Sequence, residues 1–162
     1  MEFNNEYELL QEIYRGARMG EESIRLLLPK VDNARFRSDL QTQCRQYQST
    51  ASNAEQQMKA LGQCPRELCG KEQAMLWMSL QANTLCNRET SHLAEMMIQG
   101  SNMGILSLTK VLNSFGDPKA NPAQSQQDSQ QAPPARNQAI GLARSTILAE
   151  EDNINRLKIY LQ

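Results

Sequence analysis

Apolar residues recur along this chain at intervals of three and four, the spacing of one face of an α-helix. In the first segment the apolar or small residues with this spacing are Tyr7, Leu10, Tyr14, Ala17, Ile24, Leu28 and Val31. They predict a helix over about residues 5–28. Pro29 and the polar pair Asp32 and Asn33 then predict a stop and a new N-cap, and the next helix covers about 34–61 and ends at Gly62. Because the link is short, we expect these two helices to be antiparallel.

A third segment shows the same pattern but ends less clearly. Its apolar positions are Met75, Met78, Ala82, Leu85, Leu93 and Met96. They predict a helix over about 71–100. Gly100 and Gly104 interrupt the pattern, and glycine lowers helix stability. We therefore assign residues 103–113 to a short extra helix.

The last third of the chain has two contrasting parts. Residues 116–136 are rich in Gln, Pro and Ser, with almost nothing to bury, and predict a flexible loop. Regular apolar spacing returns afterwards and predicts a helix over about 137–161. Residues 1–162 are then one all-α domain, an antiparallel up-down-up-down four-helix bundle with a short extra helix after the third helix. The abundance of helix-forming residues and the 5% aromatic content favour the same class.

Composition excludes several kinds of partner. The net charge of -1 leaves no basic surplus for a phosphate backbone, so we expect no nucleic acid. No apolar stretch approaches the roughly 18 residues of a membrane span, and the N-terminus lacks the features of a signal peptide. These features and the four cysteines predict a cytoplasmic protein with reduced thiols. Cys64 and Cys69 are spaced more widely than a CxxC pair, so ordinary thiols are favoured over metal or redox use.

Each predicted helix carries one polar residue where its apolar pattern skips a position. These residues are Glu21, Gln43, Glu89 and Glu150. Counting residues from the first connection places Glu21 and Gln43 at the same height, and counting from the second places Glu89 beside Gln43. Glu150 joins this layer if the long loop allows the register. Three of the four are followed at i+3, on the same helical face, by the polar residues Gln46, His92 and Asn153.

This set of residues resembles the di-iron site of ferritin-like bundles. In that family two helices each supply one carboxylate and the other two each supply Glu-x-x-His. The residues in corresponding places are Glu21 and Glu89 as single carboxylates, and Gln43 with Gln46 and Glu150 with Asn153 as pairs. The resemblance covers the four helices and implies a ferritin-like fold with a metal site in its centre.

The chain departs from the family pattern at the ligands. Gln43 stands in place of a carboxylate, while Gln46 and Asn153 stand in place of the two histidines. The single histidine, His92, follows Glu89 instead. Two ions would lack ligands, so the site is degenerate and would hold at most one Fe or Mn ion. A polar network that fixes helix register is the alternative, and Glu22, Glu151 and Asp152 would take the candidate places if the register were shifted.

A loose series of methionines allows two interpretations. Its members are Met75, Met78, Met96, Met97 and Met103. Methionine most often fills gaps in a core, so we expect them inside. Trp77 could instead cover the interface of a homodimer, where Trp and Met are enriched.

Three classes of function are compatible with the sequence. The favoured one is a non-catalytic structural or interaction protein whose metal site is degenerate. The second is a metal-binding redox or storage protein that uses Glu21, Glu89, His92 and Glu150. The third is a partner-binding module that uses the Met-rich face or the Gln/Pro loop. Hydrolytic catalysis is disfavoured, because Ser91, the neighbour of His92, points to a different side of the helix.

Overall fold

The computed structural model describes residues 5–116 and 134–162. These residues form five α-helices and no strand, which confirms the all-α prediction. The helices are α1 (Asn5–Leu27), α2 (Ala34–Ala60), α3 (Gly70–Cys86), α4 (Thr90–Gly116) and α5 (Pro134–Leu157), with short 3-10 helices at Leu28–Lys30 and Lys158–Tyr160. Residues 117–133 of the predicted loop lie outside the described residues, and Pro134 already begins α5.

The two ends of α2 confirm the predicted signals. Asn33 is the N-cap, and its side-chain oxygen accepts a hydrogen bond of 2.9 Å from the amide of Phe36. At the other end Gly62 has φ of +72°, the left-handed conformation that glycine adopts without strain. The amide of Gln63 then donates to the Met58 carbonyl at 3.0 Å, and the amide of Gly62 donates to the Lys59 carbonyl at 2.9 Å. These bonds form a Schellman motif, which satisfies the last carbonyls of the helix.

The predicted third helix is wrong in its bounds. The chain turns at residues 87–89, where the Asn87 side chain accepts a hydrogen bond of 2.8 Å from the amide of Glu89. α4 then runs without a break through Gly100 and Gly104, so residues 103–113 are not a separate helix. Both glycines face open space and need no side chain for packing. Buried residues before and after them, such as Met97 and Leu108, hold the helix in place.

Because the chain turns at 87–89, α3 and α4 run in opposite directions. α3 runs alongside α1 in the same direction, because Glu72 pairs with Arg15 at 3.2 Å and Gln81 accepts a hydrogen bond from Lys30 at 2.6 Å. α4 returns toward the start of α1. This extra reversal was not predicted, because the apolar spacing of residues 71–100 is nearly continuous across the turn.

Long-range hydrogen bonds give the directions of α4 and α5. Ser107 of α4 donates to Glu12 near the start of α1, at 2.5 Å. Arg136 at the start of α5 donates to the carbonyl of Phe115 at the end of α4, at 3.2 Å. At the far end, Tyr160 donates to Asp39 near the start of α2. α5 is therefore antiparallel to both α4 and α2.

The hydrophobic core lies between α1, α2, α4 and α5. Its largest fully buried apolar side chains are Leu9, Leu10, Ile13, Ile24, Leu27, Val31, Phe36, Leu40, Met58, Leu93 and Leu157. Burial of each large one stabilises the fold by about 1.5–3 kcal/mol. α3 differs, because the buried side chains it contributes are Leu80 and Thr84, and it packs mainly on α1. None of the helices in the described ranges has an apolar stretch long enough to cross a membrane.

Candidate functional site

A chain of hydrogen bonds in the middle of the core is centred on the Tyr47 hydroxyl. Gln43, one turn earlier on α2, donates from Nε2 to this oxygen at 3.0 Å. The hydroxyl in turn donates to Oε2 of Glu150 on α5, also at 3.0 Å. Each of the three residues is at least nine-tenths buried. We call Gln43, Tyr47 and Glu150 the buried triad.

The close approach of α1 to α2 at this level depends on a glycine. A Cβ placed on Gly20 would lie 2.6 Å from Cε2 and Cζ of the Tyr47 ring. No real side chain tolerates such a contact, so the missing side chain creates the space that the ring occupies. Gly20 was not singled out from the sequence, where nothing distinguishes it from Gly16.

Burial governs the protonation of the triad. It raises the pKa of Glu150, because a carboxylate loses solvation in the core, while the Ser101 and Tyr47 hydroxyls act in the opposite direction. Burial, reinforced by the adjacent Glu150 charge, also raises the pKa of Tyr47. Tyr47 therefore acts as a neutral donor and does not ionise near neutral pH.

Two further buried polar groups line the same core. Ser101 of α4 and Asn153, one helical step after Glu150, are each 4% exposed. Among the described residues, neither Ser101 Oγ nor Asn153 Nδ2 has a hydrogen bond of good geometry, although Ser101 is close enough to Glu150 to favour its charged form. An unpaired buried donor weakens a fold, so the Asn153 amide offsets part of what the triad contributes.

Glu21 lies on α1 at the level of the triad, next to Gly20, but its carboxylate is bound by other residues. Its carboxylate accepts hydrogen bonds from Arg18 at 2.5 Å, from Arg25 at 2.9 Å and from Gln48 at 3.0 Å. Two arginines of α1 thus pair with the Glu21 carboxylate. Gln46, the predicted partner of Gln43, is half-buried on α2. Glu21 is therefore an ion-paired carboxylate at the edge of the core.

Glu89 and His92 do not join the layer in which they were predicted. Glu89 lies in the turn between α3 and α4 and is exposed. His92 is half-buried in the first turn of α4, and its Nε2 lies 3.1 Å from the carbonyl of Asn83. The physical reason is the chain reversal at 87–89, which removes both residues from the helix that was expected to carry them. Both residues lie at the α3–α4 turn instead.

The predicted ligands therefore do not form one site. Gln43, Glu150 and Asn153 are in the core, Gln46 is half-buried on α2, Glu21 is bound by arginines, and Glu89 with His92 is at the turn. Within residues 5–116 and 134–162, no group of three or more His, Cys, Asp and Glu side chains could hold a metal ion. No described geometry thus supports the suggested Fe or Mn ion, and Cys64 and Cys69 are both exposed free thiols.

The surface of α3 provides a second candidate site. Met75, Met78 and Leu85 are 72%, 64% and 75% exposed, and Trp77 is 51% exposed. The expectation that the methionines fill the core is therefore wrong for Met75, Met78 and Met103, whereas Met97 is buried. We call Met75, Met78, Ala82 and Leu85 the outer face of α3. Together they form an apolar strip of the kind that marks protein interaction sites.

A polar cleft of about 230 Å³ lies between α1 and residues 66–72. Within it Gln11 binds both the amide and the carbonyl of Arg66, at 2.8 and 2.9 Å, and Arg15 pairs with Glu72. These contacts attach the segment before α3 to α1. Arg15 and Arg66 pair with three glutamates of the cleft, and the fourth, Glu67, accepts a hydrogen bond from the Tyr14 hydroxyl at 2.5 Å.

Comparison with protein-family models, curated proteins and solved structures finds no match for this chain. The ferritin-like resemblance thus rests on the residues quoted above.

Proposed function

We propose that this chain is a non-catalytic interaction protein that binds a protein partner through the outer face of α3. The observation that carries the proposal is the exposure of three large apolar side chains on one side of a helix. A helix with apolar residues on both sides is normally covered on both. α3 is covered by α1 on one side, and the other side offers an apolar surface to a partner.

The attachment of α3 to the rest of the fold suits this role. Arg15 and Glu72 hold its beginning, and Lys30 donates to both Gln81 and Thr84 near its end. Leu80 adds an apolar contact between these points. The helix is thereby held at both ends while its outer face stays open.

The same proposal includes the arrangement of the long helices. In it α1, α2, α4 and α5 form a four-helix bundle in the order up-down-down-up, in place of the predicted up-down-up-down order, because residues 61–89 make one long crossover connection. What supports it is the set of antiparallel contacts from Ser107, Arg136 and Tyr160. One long crossover is also the topology of ferritin-like bundles, although likeness of fold carries no activity with it.

Within that bundle the buried triad has a structural role. Its hydrogen bonds join α2 to α5 at one register, because a shift by a single residue would leave Glu150 without its donor. The triad is closed to solvent, so a substrate has no path to it. We therefore assign it to specificity of folding.

The proposal can be tested by fluorescence-detected sedimentation of the labelled full chain in concentrated cell extract. We expect wild type to sediment faster than the free chain, and a Met75→Glu, Met78→Glu variant to sediment as the free chain. Leu148→Glu is the matched control, because Leu148 is 65% exposed on α5, and it should behave as wild type. Equal behaviour of all three proteins would contradict the proposal.

A further inference from the structure

The outer face of α3 has the spacing of a helix-pairing seam. Met75, Met78, Ala82 and Leu85 are separated by three, four and three residues. This strict alternation is typical of coiled-coil contacts, in which each side chain inserts between side chains of a facing helix. The spacing therefore points to a second α-helix as the partner element.

The composition of the helix narrows the choice of that partner. Residues 73–87 contain no charged side chain. A facing helix must then be uncharged along the same length, because an unpaired charge would lose its solvation at the contact. Within the described residues α3 itself meets this requirement, and its outer face is exposed and can pack against a second helix.

We propose that the outer face of α3 binds the same face of a second copy of this chain, with the two α3 helices antiparallel. The two-fold axis passes at the level of Leu80, midway between Met75 and Leu85. This inference rests on the proposed function, since it names the partner of the surface described there.

Antiparallel pairing about this axis matches large side chains with small ones. Met78 of one copy lies opposite Ala82 of the other, so a long flexible side chain packs over a short one. Met75 lies opposite Leu85 at each end of the contact. The flanking residues Ala74 and Ser79 are small and allow the helices to approach.

The charged residues at the ends of α3 select the antiparallel direction. Lys71 lies at the start of the helix and Glu89 just after its end, and both are exposed. In an antiparallel pair Lys71 of one copy lies opposite Glu89 of the other. In a parallel pair the two copies of Lys71 would meet, as would the two copies of Arg88. Like charges in contact disfavour the parallel pair.

The area available indicates a reversible dimer. Because a large side chain presents about 150–250 Å², the exposed parts of Met75, Met78 and Leu85 amount to roughly 400 Å². A standard interface covers about 800 Å² on each partner. The apolar contact therefore falls below the standard size before the flanking residues are added, so association depends on protein concentration.

The first test is sedimentation equilibrium of the purified full chain over a wide range of concentration. We expect wild type to approach twice the mass of one chain as concentration rises, Leu148→Glu to do the same, and Met78→Glu to keep the mass of one chain. Circular dichroism of each variant checks that it is folded, which is expected because both side chains are largely exposed. A wild-type chain that stays at the single mass throughout would overturn the proposal.

The second test is of direction and register. Chains with Met75→Cys and chains with Leu85→Cys are mixed, oxidised and examined by mass spectrometry. We expect a disulfide between positions 75 and 85 of different copies. Disulfides between two copies of position 75 would overturn the antiparallel arrangement, because those positions would be about 15 Å apart along the axis.

Failure of self-association can be separated from failure of the proposed function. A purified chain that stays single, while faster sedimentation in extract still depends on Met75 and Met78, would overturn the dimer and leave the binding surface in place. If neither behaviour depends on these residues, both proposals are overturned.

Discussion

Gly20 of α1 lies against the ring of Tyr47 of α2 so closely that a Cβ at position 20 would be 2.6 Å from two ring carbons. This contact sets how near α1 and α2 can approach at the level of the buried triad. It also makes the glycine a packing requirement, in spite of the general preference of helices for alanine.

We expect Gly20→Ala to destabilise the protein by about 1–2 kcal/mol, because overpacking in a core costs more than alanine gains in helix propensity. Gly16, one turn earlier, has nothing within 4 Å of the corresponding position. Gly16→Ala should therefore stabilise the protein by about 0.5–1 kcal/mol. Urea denaturation of the two variants measures both effects, and a gain in stability for Gly20→Ala would contradict the packing described.

Removal of the Tyr47 hydroxyl should cost more than removal of an exposed one. Tyr47→Phe leaves Gln43 and Glu150 unpaired in the core, and we expect a loss of about 1–3 kcal/mol in the free energy of unfolding. Tyr7→Phe is the control, because its hydrogen bond to the Cys64 carbonyl is exposed. It should lose about 0.5 kcal/mol or less. Equal losses of stability in the two variants would show that the hydrogen bonds of the triad add nothing to the free energy of unfolding.

The contribution of Glu150 to stability should depend on pH. Burial raises its pKa in the folded protein above the ordinary 4.5, so the folded state holds the proton more tightly than the unfolded state. The stability from this group is complete below pH 4.5 and is lost as pH rises through the folded pKa.

A Glu150→Gln variant cannot undergo this loss, because its amide stays neutral. We therefore expect the stability of the variant relative to wild type to increase as pH rises from 4.5 toward neutrality. Other carboxylates are common to both proteins and cancel in the difference, which urea denaturation at several pH values measures. The opposite slope would show that the carboxylate is better stabilised in the folded protein than burial allows.

The continuity of α4 through Gly100 can be tested by replacing this glycine with alanine. Gly100 faces open space in the middle of the helix, so Gly100→Ala should stabilise the protein by about 0.5–1 kcal/mol. Gly62→Ala should destabilise it, because φ of +72° is unfavourable for alanine. Thermal unfolding of the two variants distinguishes them. A loss of stability for Gly100→Ala would instead indicate a break in the helix.

Local signals in the sequence were sufficient for much of the fold. The N-cap was predicted within the Asp32 and Asn33 pair and the end of α2 at Gly62, and both features depend on chemistry within a few residues. The burial of Gln43, Glu150 and Asn153 followed from their places in regular apolar patterns. Such features need no knowledge of distant parts of the chain.

The turn at 87–89 was missed because apolar spacing continues through it, so periodicity alone could not show a reversal. That one error moved Glu89 and His92 into the predicted layer and Met75 and Met78 into the predicted core. A strict three-four-three spacing with no charge from 73 to 87 was the available signal for a pairing surface. The contact of Gly20 with Tyr47 is tertiary and had no signal in the sequence.

The most direct test of the binding surface on α3 is methionine oxidation followed by mass spectrometry. Met75 on α3 and Met103 on α4 are each 72% exposed, so they form a matched pair within one molecule. We expect both to oxidise at similar rates in the dilute purified chain, and Met75 to become protected relative to Met103 at high concentration and in cell extract. Equal oxidation of Met75 and Met103 under all three conditions would contradict the assignment of this face as a binding surface.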